Sequence, residues 1–221
     1  MQNNAAEFSP RATRKRQAIM DAAWQVFSSQ GYERTTVEAI VALAGGSKST
    51  VYSYFQSKED LFLQASLTRA AELSLPAFEE FPSQSNPARA LYVFGVNYLR
   101  FYLNSDLIEV FRLAAAEARK LSFGKELYDK NFRTSWGKVA RYLEEHLEKE
   151  RLLPGGGWTA AMHLRGLLDG DTLMRHSWGI MDEQSPEVYE RMAHTAVTAF
   201  LRIYAPDRIP DIPKSKRDKR N

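Results

Sequence analysis

Cysteine is absent from the chain. That excludes disulfides and thiolate metal ligands, and it leaves the core to form by packing alone. Hydrophobic residues make up 44% of the 221 positions, enough for a sizeable core. No apolar run approaches the roughly 20 residues that span a bilayer, so no membrane contact is expected. The first ten residues are polar and carry no apolar segment, which predicts no secretory leader and a cytoplasmic chain. Histidine is scarce, with four in the chain. None forms a His-x-x-x-His pair. Asp169 and His176 lie close in "LLDGDTLMRH", but the ordinary reading there is a polar helix face, so no metal site and no cofactor are expected. P-loop, dinucleotide-binding and nucleophile-elbow patterns are missing as well, which leaves an enzyme reading without support.

Strand alternation is also scarce, and helical spacing recurs throughout. The expected class is all-α, with about nine helices. The first runs over 13–30, with Ile19, Ala23, Val26 and Phe27 on one face and Gly31 as its stop. The second opens at Thr35 or Thr36 and ends near Ala44. "TTVE" supplies a capping box if Thr35 is the N-cap and Glu38 reaches back. Gly45 and Gly46 turn the chain, and Ser47 caps a short third helix over 48–55. Ser57 caps a fourth, with Asp60 reciprocal, that runs to about Leu75, where Pro76 ends or kinks it. "FPSQSNP" (81–87) is a loop. Further helices are expected over 88–103, 106–121, 125–151, 159–178 and 186–204, with "LPGGG" (153–157) as a hard break. The expected organisation is an N-terminal arm and reading domain over 1–56, a helical body over 57–205, and a flexible basic tail over 206–221.

Charge is unevenly spread. Residues 1–58 carry seven Lys/Arg against four Asp/Glu, so the +3 of the whole chain resides there. Residues 214–221 add five bases against one acid, which leaves an acidic middle. A basic end on an acidic body suits a polyanion partner. Arg11, Arg14 and Lys15 are candidates for phosphate or minor-groove contacts. Residues 1–10 and 214–221 are too polar to bury a core and are expected to be disordered when free.

Two helices joined by a tight turn, the second one short, read as a helix-turn-helix. At about 100° per residue, Val51 and Phe55 form one apolar stripe of the short helix. Ser49, Thr50 and Ser53 fall opposite, flanked by Lys48, Tyr52 and Tyr54. Small hydroxyl residues let a backbone approach base edges in a major groove. The lysine and tyrosines reach phosphates, although Tyr52 also suits a packing role. The helix starts at Thr35/Thr36 and Ser57 can offer N–H groups to phosphate. Lys58, a cation on a first helical turn, makes best sense facing an external anion.

The stretch "RKRQAIMDAAWQVFSSQGYERTTVEAIVALAGGSKSTVYSYFQSKEDLF" (14–62) resembles the N-terminal domain of TetR/AcrR-family transcriptional repressors. That resemblance implies an all-α homodimer with a ligand-binding body, paired across its two-fold axis by the last two long helices. By its matching positions, Thr36, Lys48, Ser49, Thr50, Tyr52, Tyr54 and Lys58 contact double-stranded operator DNA. Gly46 departs from the pattern, since the family more often has an apolar residue there. Beyond residue 87, "EVFRLAAAEARKLSFGKELYDKNF" and "LRGLLDGDTLMR" are similar to the AefR-like C-terminal domain. Within the body, Tyr98, Phe101, Phe111, Phe132 and Trp136 are candidates to line an apolar effector pocket. The expected function is a ligand-responsive repressor. The alternative is a ligand-independent or architectural DNA-binding protein.

Overall fold

The computed structural model describes residues 9–79, 86–103, 105–121, 124–148, 151–152, 154–180 and 184–212. The polar first eight residues and the basic stretch from 213 onward lie outside the described residues, as does most of the 81–87 loop. Every regular element described is helical. In order they are α1 (Pro10–Gln30), α2 (Val37–Ala44), α3 (Lys48–Tyr54), α4 (Lys58–Glu79), α5 (Pro87–Tyr102) and α6 (Ser105–Leu121). There follow α7 (Gly124–Leu127), a π-helical stretch (Tyr128–Arg133), α8 (Thr134–His146), α9 (Gly156–Asp169), α10 (Thr172–Ser177), α11 (Pro186–Tyr204) and a 3-10 turn (Pro206–Asp211).

Local chemistry sets most boundaries. Ser9 caps α1 by accepting from the Ala12 amide at 3.3 Å, and Pro10 sits at a first-turn position that needs no N–H donor. α1 therefore starts three residues before the periodicity suggests. Thr36, rather than Thr35, caps α2, accepting from the Ala39 amide at 3.2 Å. The Thr35 capping box does not form. Thr35 is buried and donates to the Gly31 carbonyl at 2.8 Å. At α4 Ser57 caps by accepting from the Asp60 amide at 3.1 Å, and Asp60 reaches back one residue further than in a capping box, accepting from the Gln56 amide at 2.9 Å.

Three expectations need correction. α4 continues past Pro76 to Glu79. The helix expected over 125–151 passes through a π-helical stretch and ends at His146. The helix expected over 159–178 starts at Gly156 and breaks at Gly170, whose φ of 49° is left-handed, so α10 becomes a separate turn of helix.

The chain divides into two compact units. The first holds residues up to Arg69 together with Leu113–Gly124; the second holds Ala70–Arg112 and everything from Lys125. α4 and α6 are each divided between them. In the first unit, Ile19, Ala23 and Phe27 of α1 are fully buried beside Ile40 of α2, Phe55 and Phe62. Phe27, Tyr32 and Phe62 form an aromatic trio with centroids 4.9–5.9 Å apart. Arg16 lies over the Phe55 ring at 5.1 Å and also reaches Gln64.

In the second unit, α11 packs on α5 and α9, and α8 packs on α9. The core centres on Phe78, Phe94, Tyr98 and Trp136, in edge-on and stacked pairs. Gly157 sets how closely α8 and α9 meet, because a Cβ there would fall 2.2 Å from the Ala140 carbonyl oxygen.

Candidate nucleic-acid interface and effector core

The candidate reading element is α3. Its inner side is Val51, 2% exposed, and the residue just past its end, Phe55, is 1% exposed. Two such anchors one helical turn apart fix the rotation of a seven-residue helix that is too short to be stable alone. The rest of its surface then faces outward. Lys48, Ser49, Tyr52 and Ser53 are exposed, and Thr50 and Tyr54 are half-buried. Tyr52 is 51% exposed, so its ring is not core packing.

The hydroxyls on that face are already organised. Ser47 accepts from the Thr50 amide at 3.2 Å, and its Oγ lies 2.7 Å from Ser49 Oγ and 3.0 Å from Thr50 Oγ1. Ser53 donates to the Thr50 carbonyl at 2.7 Å. Lys48 is ion-paired with Glu38 of α2. The hydrogen bond from Lys48 holds the Glu38 carboxyl below its ordinary pKa. Both side chains are more than half exposed, so the pair adds little stability and can exchange. Thr36 is exposed at the start of α2.

Two lysines are used differently from what the sequence suggests. Lys58 does not simply face outward. Its ammonium donates to the carbonyl oxygens of Tyr32 and Thr35, both at 2.9 Å, and lies 4.3 Å from the Tyr32 ring centroid. That leaves one of its three N–H donors. Lys15 donates to the carbonyls of Ala44 at 2.9 Å and Gly45 at 2.8 Å. It thereby caps the C-terminal end of α2, where the helix dipole favours a cation. Gly45 and Gly46, at φ 70° and 100°, make the turn beneath it. A Cβ on Gly46 would sit in ordinary contact with Thr50 Oγ1 at 3.5 Å and Lys15 Nζ at 3.6 Å, so its positive φ rather than lack of space favours glycine there. Burial, aided by Glu59, Glu33 and Glu117, raises the Tyr32 hydroxyl pKa to about 12.

The five aromatics expected to line a pocket do not surround an open one. Tyr98 and Trp136 are 2% exposed and packed face to edge, with centroids 5.2 Å apart. Phe101, Phe111 and Phe132 are half-buried. A cavity of about 10 Å³ lies against Phe78, Tyr98, Phe101, Tyr102 and Leu107.

What the apolar reading missed is a polar centre. Tyr98 donates to Asp169 Oδ1 at 2.8 Å, and the other oxygen of Asp169 pairs with Arg165 at 2.9 Å. Arg165 also donates to the Tyr102 hydroxyl at 3.2 Å, and its guanidinium sits 5.0 Å from the Phe132 centroid. Burial alone would lower the Arg165 pKa. The facing carboxylate and the two tyrosine hydroxyls more than offset it and keep the guanidinium charged. Burial pushes the Asp169 carboxyl and the Tyr98 hydroxyl up. The available sequence signal was an Arg and an Asp four residues apart inside the otherwise apolar run "LRGLLDG".

Asp169 is therefore paired, and the described residues contain no cluster of three groups able to hold a metal. No described helix is long and apolar enough to cross a membrane. A groove of the second unit, about 620 Å³, runs between the α9–α10 corner and α11. Leu167, Val188, Met192, Ala196 and Ala199 are among its lining.

Comparison with known proteins agrees with this geometry. Residues 19–65 match the family model of bacterial regulatory proteins of the tetR family. Residues 89–206, more than half of the chain, match the AefR-like transcriptional repressor C-terminal domain. The HTH-type transcriptional regulator YhgD of Bacillus subtilis (strain 168) is 33% identical over 82 residues, 35% of this chain and 43% of YhgD. The chain thus spans less than half the length of that relative. A solved TetR-family transcriptional regulator from Mesorhizobium loti MAFF303099 is 27% identical with a TM-score of 0.78, covering 89% of this chain and 99% of its own. The flavonoid-responsive regulator FrrA is 27% identical with a TM-score of 0.70, covering 88% of this chain and 98% of its own.

The helix-turn-helix and the helical body, with the two family matches, define the class as a DNA-binding transcriptional regulator. The chain belongs to the TetR family of bacterial regulatory proteins and carries an AefR-like C-terminal domain. Regulators of this family bind operator DNA and form dimers, with ligand binding in the C-terminal domain.

Proposed function

We propose that this protein is a cytoplasmic, ligand-responsive transcriptional repressor that binds a pseudo-palindromic operator as a homodimer. The observation that carries the reading is α3. Val51 and Phe55 are buried, so the hydroxyl face points away from the fold. Ser49, Thr50 and Ser53 meet base edges. Lys48, Tyr52 and Tyr54 reach phosphates. Thr36 adds the start of α2, and Lys58 adds its remaining N–H. The dimer pairs α9 and α11. Support comes from the groove beside α11 and from the exposed Leu167 and Ile203, which an isolated chain would leave in water. Two equivalent reading heads then meet half-sites about 34–36 Å apart or somewhat more.

The effector is a small, largely apolar aromatic compound seated among Tyr98, Phe101, Phe111, Phe132 and Trp136. FrrA, a flavonoid-responsive relative by name, lends support. A second reading, a ligand-independent repressor, is favoured by the tight packing of Tyr98 and Trp136. The test has two stages. DNA selected by the purified protein is sequenced, and binding to the selected operator is then titrated with aromatic compounds while sedimentation reports the oligomer. Selection of no palindrome, or a monomer on DNA, refutes the repressor reading. An operator that no compound releases leaves the ligand-independent one.

A further inference from the structure

The polar centre of the second unit specifies more than an apolar effector. Resting on the ligand-responsive reading, we infer that the effector is a planar aromatic molecule bearing an oxyanion, and that Arg165 is its anchor. Three observations converge on this residue.

The first is an unfilled bonding capacity. Arg165 gives one nitrogen to both Asp169 and Tyr102, while its buried Nε has no hydrogen-bond partner. A guanidinium presents a planar fork suited to two parallel bonds with a carboxylate or a similar oxyanion. A pairing through one nitrogen leaves that fork incompletely used.

The second is the surface around it. The Phe132 ring lies 5.0 Å from the guanidinium, and Tyr128 stacks on Phe132 at 5.2 Å. Tyr102, whose hydroxyl meets Arg165, lies 5.4 Å from Phe111. Phe101, Tyr102, Phe111 and Phe132 are half-buried and Tyr128 is 43% exposed. Half-wetted rings around a half-buried cation suit a flat ring with an acidic edge, since stacking and ion pairing are satisfied together. The cavity of about 10 Å³ beside Tyr98, Phe101 and Tyr102 has room for a water at most, so a ligand on Arg165 requires outer rings to be displaced.

The third is the π-helical stretch. Tyr128 and Phe132 both lie on it, at the junction of α7 with α8. Such wide turns concentrate at functional sites because their hydrogen bonding shifts register at low cost.

Asp169 competes for the same fork. An arriving oxyanion takes the guanidinium from Asp169, which keeps the Tyr98 hydroxyl as its donor. No bond is made or broken beyond hydrogen bonds and the ion pair. Removing the competing charge therefore strengthens effector binding, whereas a purely structural Arg165–Asp169 pair predicts no such gain.

The test uses the full chain, calorimetric titration and matched probes: benzoate, salicylate and 4-hydroxycinnamate, each against its uncharged methyl ester. At least one acid is expected to bind about tenfold tighter than its ester, a difference of about 1.4 kcal/mol. Arg165→Gln is expected to erase that preference. Arg165→Lys keeps the charge without the fork and is expected to retain part of it. Asp169→Asn is expected to tighten the acid by several-fold and leave the ester unchanged. Folding of each variant is checked by circular dichroism. The comparison of acid with ester on the natural protein decides the matter even where a variant fails to fold. Equal affinities for acid and ester, a preference that survives Arg165→Gln, or no binding by any acid overturns the inference. Operator release is measured separately. An acid that binds through Arg165 without loosening the operator refutes the ligand-responsive reading and leaves the anchor standing. A neutral compound that releases the operator independently of Arg165 does the reverse.

Discussion

Replacing Lys58 by alanine distinguishes two jobs that the sequence runs together. A lysine that touches only phosphate lowers affinity for all DNA and flattens the salt dependence by about one charge, while the free protein keeps its stability. The ammonium here is also a staple. It holds the carbonyls of Tyr32 and Thr35 at 2.9 Å, on either side of the turn between α1 and α2, and caps the Tyr32 ring at 4.3 Å. A hydrogen bond to a charged donor contributes about 1.5–3 kcal/mol when well buried, and a cation over a ring about 0.5–1 kcal/mol when exposed. Lys58 is half-buried, so these values are discounted, and a loss of about 2 kcal/mol in the first unit is expected. Hydrogen exchange of the α2 amides reads that loss locally, free of the second unit. Operator binding across a salt series reads the phosphate contact. Faster exchange in α2 together with a flatter salt slope is expected. Unchanged exchange would show that the two carbonyl bonds contribute nothing and refute the staple.

Three other outcomes follow from the same geometry. Thr50→Ala should cost about 1–3 kcal/mol on the operator and little on random DNA; a mobility-shift comparison giving an unchanged ratio removes Thr50 from the reading face. Trp136→Ala, which empties a site packed against Phe78, Phe94 and Tyr98, should destabilise the second unit by about 3–5 kcal/mol in urea; a loss below about 1 kcal/mol would mean that the core readily collapses around the gap. Tyr32 favours its neutral form in the fold, so its contribution is complete below the ordinary tyrosine pKa of 10.0 and is lost as pH rises through about 12. The alkaline fall in unfolding midpoint should therefore be shallower in Tyr32→Phe, and identical slopes would contradict the raised pKa.

Much of this was legible before any coordinates. Hydroxyl caps and glycine stops are short-range chemistry, and they placed α1, α2, α3 and the start of α4 to within a few residues. The outward face of α3 followed from the spacing of Val51 and Phe55, because two buried residues suffice to orient a short helix. What was not legible depends on distant partners. Lys58 reads as a misplaced charge on its own helix; only the carbonyls of Tyr32 and Thr35, brought over from the preceding turn, give it a reason to point inward. Thr35 and Thr36 offer the same hydroxyl to a cap, and burial against α1 decided between them. The aromatic residues of the body were expected to line a pocket, and Tyr98 and Trp136 instead pack on each other, because periodicity carries no information on whether rings enclose space or fill it. Arg165 and Asp169 meet Tyr102 and Tyr98 across more than sixty residues of chain, so no local pattern joined them.

The hydroxyl cluster of Ser47, Ser49 and Thr50 has a bearing on how selectively the protein reads. In free solution these groups are not idle, because each already exchanges a bond with a neighbour. On the proposed reading face, docking into a groove therefore swaps one partner for another, and a correct base returns little more than was given up. A wrong base is different: it breaks the cluster and leaves an oxygen shut away from water with nothing to bond. Discrimination on such a face arises mainly from the penalty on mismatched sites, so the protein should leave wrong sequences quickly rather than hold right ones for unusually long.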